Sequence, residues 1–235
     1  MITAVFFDLY NTLAGFRPSR FEIQSEALSE FGIEVTPNGI IRGYHLADGF
    51  MSAQNATNPM RSLGRSERDA FFAEYERLVL SGAGVEVSPT RAGEIWKRIR
   101  QVEYGLAAFD DAVPTLQQLR EQGLIVGLIS NIHQDGDELA DSLGLLAHLD
   151  FTVTSMEVGA EKPKPPIFRR ALEKANATPS EAVHVGDQLT SDVDGAVGVG
   201  INPVLLDRDG NHPDYGAHPR IETLSELPQV LSGMS

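Results

Sequence analysis

The stretch AVFFDLYNTLAGF, residues 4–16, decides how the rest of the chain is read. Its apolar start belongs to a run from Ile2 to Phe7 that stops abruptly at a carboxylate, Asp8, with Tyr10 and Thr12 close behind. A run this short and this uniformly apolar predicts a strand buried on both faces. Asp8 would then stand at the strand's carboxyl end, where the chain turns into a loop.

Similar runs recur at Leu124 to Ile129, Phe151 to Val153, Ala182 to Val185 and Asn202 to Leu206. Helical spacing separates them: Val113, Leu116 and Leu119; Leu139 and Leu143; Ile167, Ala171 and Ala175; Val193 and Val197. Strand and helix alternate from about residue 111 onward, which predicts an α/β protein with a doubly wound, mostly parallel sheet and right-handed crossovers. The first strand breaks this rhythm. Roughly a hundred residues follow Asp8 before the alternation resumes, far beyond ordinary loop lengths, so they predict an inserted domain. Its pattern is helical, with Ile23, Ala27 and Phe31 on one face, Phe71, Tyr75, Leu78 and Val79 on another, and Ile95, Trp96, Ile99 and Val102 on a third. GVEVSP offers Ser88 as an N-cap with Pro89 at the first helical position. The expected organisation is a core of residues 1–15 and 107–235 with a helical insertion over 16–106. In TPNGIIRGYHLADGFMSAQNATNPMRSLGRS, scattered Gly, Pro and Asn obscure the helix limits. DRDGNHPDYGAHP is expected to be a polar loop, and LSELPQVL a short closing helix.

Composition narrows the partners. Among 235 residues, 19 Lys and Arg against 33 Asp and Glu leave a net charge of −14, which repels nucleic acid and anionic membranes at long range. A small-molecule substrate suits this balance better. The absence of cysteine excludes disulfides, thiolate catalysis and Cys-ligated zinc. No apolar run approaches the roughly 20 residues of a membrane span, and Ile2–Phe7 meets its carboxylate too soon for a signal peptide. A soluble, cytoplasmic protein is expected.

In open α/β sheets, sites form beyond the carboxyl ends of the strands. There stand Asp8, Tyr10 and Thr12 after the first run, and Ser130 and Asn131 after the second. Lys162 follows the third, in GAEKPKPPIF, and Asp187 and Asp192 follow the fourth, in GDQLTSD. Singly, each has an ordinary structural explanation: an Asp after a strand is most often a turn residue or helix cap, and Ser130 and Asn131 could be caps as well. Together they offer a nucleophilic carboxylate, a hydroxyl and an amide for oxyanions, a lysine to offset charge and acids able to hold Mg²⁺. That set suits phosphoryl transfer. Lys164 and Asp194 read as surface charges, His184 as a histidine satisfied within the core, and His133 as an exposed residue following the second strand.

In order as well as content, FFDLYNTL, LISN, EKPKPPIF and HVGDQLTSD resemble the four motifs of the haloacid dehalogenase-like hydrolase superfamily. The helical insertion after the first motif resembles its type 1 cap, by position and helicity. The resemblance implies a Rossmann-like core and an Asp8 nucleophile that forms a covalent aspartyl intermediate, with Thr12 steadying its loop. It further implies that Ser130, with Asn131 beside it, holds the substrate oxygens and that Lys162 offsets the charge of Asp8 and the phosphoryl group. Mg²⁺ would be bound by Asp8, Asp187 and the backbone carbonyl of Tyr10, with Asp192 assisting directly or through water. Where many phosphatases of the superfamily carry KPDP, this chain carries KPKP.

Tyr10 is the larger departure. The superfamily's phosphatases usually have Asp two residues after the nucleophile, to protonate the leaving alcohol and then activate water. A phenol with an ordinary pKa near 10 donates a proton at neutral pH but makes a poor base. The 2-haloacid dehalogenases carry Tyr here in a DLYGT-like motif. In that reading Asp8 attacks carbon without a metal, the halide leaves unprotonated, and Arg42, Arg61 or Arg65 of the insertion anchors the substrate carboxylate. The paired acids of GDQLTSD favour the phosphatase instead, because Asp8, Asp187 and Asp192 would repel one another without a cation. The reading placed first is therefore a Mg²⁺-dependent phosphatase of a small phosphorylated metabolite. A metal-independent dehalogenase is the alternative, and a catalytically weak binding or regulatory member of the superfamily is the third.

Overall fold

The computed structural model describes residues 1–234. In chain order, β1 (Ala4–Phe7) leads through a tight loop to β2 (Ala14–Arg17). Four helices follow: α1 (Arg20–Ser29), α2 (Pro37–Thr57), α3 (Arg65–Gly82) and α4 (Pro89–Ile99). The chain continues through β3 (Gly105–Ala108), α5 (Ala112–Glu121), β4 (Ile125–Ser130), α6 (Gly136–Ser142), β5 (Phe151–Thr154), α7 (Ser155–Val158) and α8 (Pro165–Ala175). It ends with β6 (Ala182–Gly186), α9 (Gly195–Val197), β7 (Asn202–Leu206), β8 (Arg220–Ile221) and α10 (Leu227–Ser232). Two compact units result, residues 1–15 with 106 onward, and residues 16–105.

In the first unit a six-stranded parallel sheet runs in the order β5-β4-β1-β6-β7-β8. The doubly wound α/β architecture expected from the alternating runs is present. Alternate residues of each strand serve opposite faces, as a pleated strand requires. Val5, Phe7, Val126, Leu128, Val183 and Val185 pack with Leu116 and Leu119 of α5. Ala4, Phe6, Ile129 and Val153 pack with Ile167, Phe168 and Ala171 of α8. Burial on both faces explains why the strands read as unbroken apolar runs. β1 lies between β4 and β6, so Asp8 emerges at the middle of the sheet.

The helical unit follows its sequence signals in part. Ser88 caps α4 as expected, its hydroxyl accepting from the Arg91 amide, and Pro89 opens the helix. Thr36 caps α2 in the same way, with Pro37 at the first turn. α2 then runs unbroken for 21 residues through the glycines that obscured its limits. Gly43 is there for proximity: a Cβ on it would collide with the Val79 carbonyl of α3, and one on Gly82 would meet the Gly43 backbone. The two helices approach too closely for any side chain at these points. Phe31 and Val102 lie just beyond the ends of α1 and α4 and pack with the unit's apolar residues. Among the described residues no helix is long and apolar enough to cross a membrane.

Three local expectations change. Val193 is buried but Val197 is exposed, because Leu189–Asp194 winds as a π-helical turn that shifts the apolar face before α9 begins. β2 and β3, which form a separate two-stranded sheet, carry no alternating pattern to announce them. β8 is a two-residue strand closing the polar loop, recognisable only through its pairing with β7.

Candidate active site

Asp8 follows β1 directly, its amide donating to the Val185 carbonyl at 2.9 Å, so the sheet ladder fixes the residue's backbone. The chain then turns sharply. Leu9 accepts from the amides of Leu13 and Ala14, and Asn11 takes a left-handed conformation (φ 56°), which Asn tolerates better than most residues. Arg208, just beyond β7, braces this turn from outside. Its guanidinium donates to the Asn11 carbonyl at 3.1 Å and the Thr12 carbonyl at 2.8 Å, and its fork grips Asp111 at 2.8 and 2.9 Å. The turn is thus held through backbone carbonyls. The Thr12 hydroxyl, which the motif would use to steady the loop, is buried and makes no hydrogen bond among the described residues.

Lys162 joins two of the acids. Its Nζ donates to Asp8 Oδ1 at 2.5 Å and to Asp192 Oδ1 at 2.6 Å, with the lysine side chain 2% exposed. Asn131 fixes the lysine's backbone on both sides, accepting from the Lys162 amide at 2.6 Å and donating to its carbonyl at 3.0 Å. The immediate partner of Asn131 is therefore Lys162, where the motif had suggested substrate oxygens. Asp192 also accepts from the Gln188 amide at 3.0 Å and lies 3.0 Å from His184 Nε2. The Gly of GDQLTSD has a steric reason: a Cβ on Gly186 would collide with the Asp192 carboxylate. Asp187 accepts from Asn11 Nδ2 at 3.2 Å and Gln188 Nε2 at 3.1 Å.

One oxygen each from Asp8, Asp187 and Asp192 lies within 4.8 Å of the others. The electrostatics follow from burying these acids beside a single ammonium. Burial pushes the Asp8 carboxyl up to about 6, Lys162 pulling against the rise and Asp192 adding to it. Burial also opposes the charge on Asp192, but Lys162 and His184 outweigh it and hold that carboxyl well below the usual range. Burial likewise opposes the charge on Lys162, yet Asp192 and Asp8 raise its pKa above that of an ordinary lysine. The pKa of His184, fully buried, is pushed down by desolvation, its hydrogen bond to Asp192 pulling the other way. Ser130 is 1% exposed, and its hydroxyl has no hydrogen-bond partner among the described residues. Tyr10 stands at the surface, 36% exposed.

The structure thus brings together Asp8, Lys162, Asn131, Asp187 and Asp192 from four strand ends. Lys164 and Asp194 are exposed, as expected. His133 is half-exposed and lies 3.3 Å from Glu161. Arg42, Arg61 and Arg65 belong to the helical unit. Sequence reasoning passed over Asn11, Gln188 and Arg208, and it gave His184 no tie to the site. Arg208 was findable, since it too follows a strand's carboxyl end.

The family model for haloacid dehalogenase-like hydrolases matches residues 2–200. The chain belongs to that family. As a member of the haloacid dehalogenase-like family it is a hydrolase, and its relatives include both kinds of chemistry weighed above. It is 30% identical to a ribulose-1,5-bisphosphate 5-phosphatase of Halopiger xanaduensis, with 99% of this chain and all of that protein aligned. It is also 39% identical over 97 residues to haloacid dehalogenase-like hydrolase domain-containing protein 3 of Mus musculus, an alignment that covers 41% of this chain and 39% of that protein. Among solved structures, a phosphatase of the family from Thermococcus onnurineus superposes with a TM-score of 0.60 at 25% identity, covering 99% of each chain. A 2-haloacid dehalogenase from Pseudomonas syringae gives 0.57 at 25% identity over the whole of both chains.

Proposed function

We propose that this hydrolase is a Mg²⁺-dependent phosphatase of a small phosphorylated metabolite, acting in the cytoplasm through an aspartyl-phosphate on Asp8. The observation that carries the reading is the cluster of Asp8, Asp187 and Asp192 oxygens within 4.8 Å of one another. Lys162 neutralises one negative charge of the three, and the remaining excess of hard oxygen donors fits a divalent cation of the Mg²⁺ class. Asp8 and Asp187, with the Tyr10 carbonyl and Asp192 nearby, would hold the ion. When bound, Mg²⁺ supplies positive charge to the phosphoryl oxygens. The phosphatase relatives support a phosphorylated substrate.

The chain's own residues account for the chemistry. One Asp8 oxygen attacks phosphorus while the bond to the substrate's ester oxygen breaks, leaving the phosphoryl group on Asp8 and releasing the alcohol, which takes its proton from solvent water. Lys162 keeps Asp8 ionised above its raised pKa of about 6 and offsets charge in the transition state. The unpartnered Ser130 hydroxyl is available to donate to a phosphoryl oxygen. Asn131 positions Lys162, and His184 with Gln188 positions Asp192. Water then attacks the phosphorus of the intermediate, releasing phosphate and restoring Asp8. The helical unit, 16–106 by the sequence boundaries, serves as the cap that supplies substrate contacts.

A second reading is favoured by one residue. Tyr10 suits a 2-haloacid dehalogenase, in which Asp8 attacks carbon and halide departs without a proton, and the Pseudomonas likeness supports it. A panel of phosphate esters and acyl phosphates assayed with Mg²⁺, beside 2-chloropropionate without metal, separates the two. Phosphate release dependent on Mg²⁺ is expected. Chloride release with no phosphatase activity would overturn the proposal.

A further inference from the structure

The helical unit holds a cleft of about 640 Å³ between the start of α3 and the end of α4, a size usual for small-molecule sites. One wall is apolar and aromatic: Leu63, Phe72 and Trp96, with the Phe72 and Trp96 rings stacked at 4.6 Å and 5°. The remainder is cationic. Arg65, Arg68 and Arg100 face a single acid, Asp69, a surplus of two positive charges in a chain whose net charge is −14. Arg68 is held in place by donating Nε to the Leu63 carbonyl and Nη2 to the Arg61 carbonyl, both at 3.0 Å. Among the described residues, the guanidinium groups of Arg65 and Arg100 pair with no carboxylate. The guanidiniums outnumber the one acid beside them, which leaves donors and positive charge available to an incoming anion.

We propose that this cleft is a binding site for an aromatic organic phosphate of the nucleoside monophosphate class. Guanidinium forks match phosphate oxygens in geometry and charge. The stacked indole and phenyl rings supply an apolar wall for a flat ring system. A dianion balances the surplus charge. The site uses none of Asp8, Lys162, Asp187 or Asp192 and needs no metal, so it is independent of the phosphatase reading.

Trp96 is the only tryptophan in the chain, so its fluorescence reports on this cleft directly. The test is a titration of the full-length Asp8→Asn variant in EDTA, so that nothing is turned over, with AMP, adenosine and inorganic phosphate in parallel. AMP is expected to change Trp96 emission saturably in the millimolar range or below, with adenosine and inorganic phosphate at least about tenfold weaker. Arg65→Gln and Arg100→Gln, both exposed positions, should each weaken AMP by about tenfold while circular dichroism stays unchanged. No saturable change with AMP, or AMP binding that is unaltered in both arginine variants, would overturn the proposal. So would adenosine or inorganic phosphate binding as tightly as AMP, because one half of the site would then contribute nothing.

Discussion

Asp8 is held between two pressures, a buried setting that favours its neutral form and an ammonium 2.5 Å away that favours its ionised form. Asp8→Asn keeps the shape and removes the nucleophile, so turnover should fall to below about one-thousandth of wild type. The amide also removes the cost of burying a carboxylate and its repulsion with Asp192, which together outweigh the lost attraction to Lys162, so the metal-free melting temperature should not drop. Steady-state assays beside thermal unfolding check both halves, and activity within tenfold of wild type would remove Asp8 from the chemistry. Tyr10 poses a different question. A phosphatase lacking its usual carboxylate there should depend steeply on the leaving group. Tyr10→Asp should therefore speed hydrolysis of an alkyl phosphate by about 10²-fold, the lower end of acid–base catalysis, with a much smaller gain on p-nitrophenyl phosphate. The quantity to measure is the mutant-to-wild-type rate ratio for each ester. Equal ratios would show that the phenol does not occupy the proton-transfer position.

Contacts between elements explain features that single residues do not. The α2–α3 crossing depends on Gly43 and Gly82, where the backbones meet without side chains. Gly43→Ala forces them apart and should destabilise the protein by roughly 1–3 kcal/mol, overpacking outweighing the better helix propensity of Ala, as urea unfolding would show. The packing of α1 and α3 also encloses Glu76, fully buried, with Gln24 Nε2 donating to it at 3.1 Å. Burial pushes its carboxyl up to about 8, opposed only by that one hydrogen bond. Below about pH 4.5 Glu76 is protonated whether folded or unfolded and has no effect on stability. Between there and pH 8 the unfolded chain releases the proton and the folded one keeps it. Stability should thus decline with rising pH across that window and level off above it. Glu76→Gln should remove this residue's share of the decline, gaining roughly 2–4 kcal/mol over wild type at pH 8 relative to pH 5 and leaving the smaller, more acidic share of Asp8. Urea midpoints at several pH values test this, and parallel profiles for the two proteins would refute it. None of this showed in the sequence. Glu76 reads as one more helix charge, because its burial depends on α1, more than fifty residues earlier in the chain.

Across the whole molecule, Asp8, Asp187 and Asp192 are the clustered acids whose mutual repulsion a cation would relieve. Adding Mg²⁺ at about ten times its dissociation constant should stabilise the protein by about 1.4 kcal/mol. The corresponding rise in melting temperature should be absent in Asp187→Asn, and an equal rise in that variant would remove Asp187 from the metal site. The fold and the strand-end acids were legible because each is announced locally, by an apolar run and the polar residue that ends it. What was not legible lies between distant segments: Asn11 reaching Asp187, Arg208 gripping the turn after β1, and the π-helical winding that changes the face presented by Val197. β1 itself is the extreme case of such distance. It pairs with Ile125–Leu128 on one side and Ala182–Val185 on the other, so its first neighbour is about 120 residues downstream. At translation rates of about 5–20 residues per second, AVFF waits roughly 6–24 s on the ribosome with neither sheet partner yet synthesised. During that interval this fully buried strand of the native core has no sheet to join. Nascent-chain capture should therefore find chaperone contact on residues 1–15 until β4 emerges, and on the insertion far less.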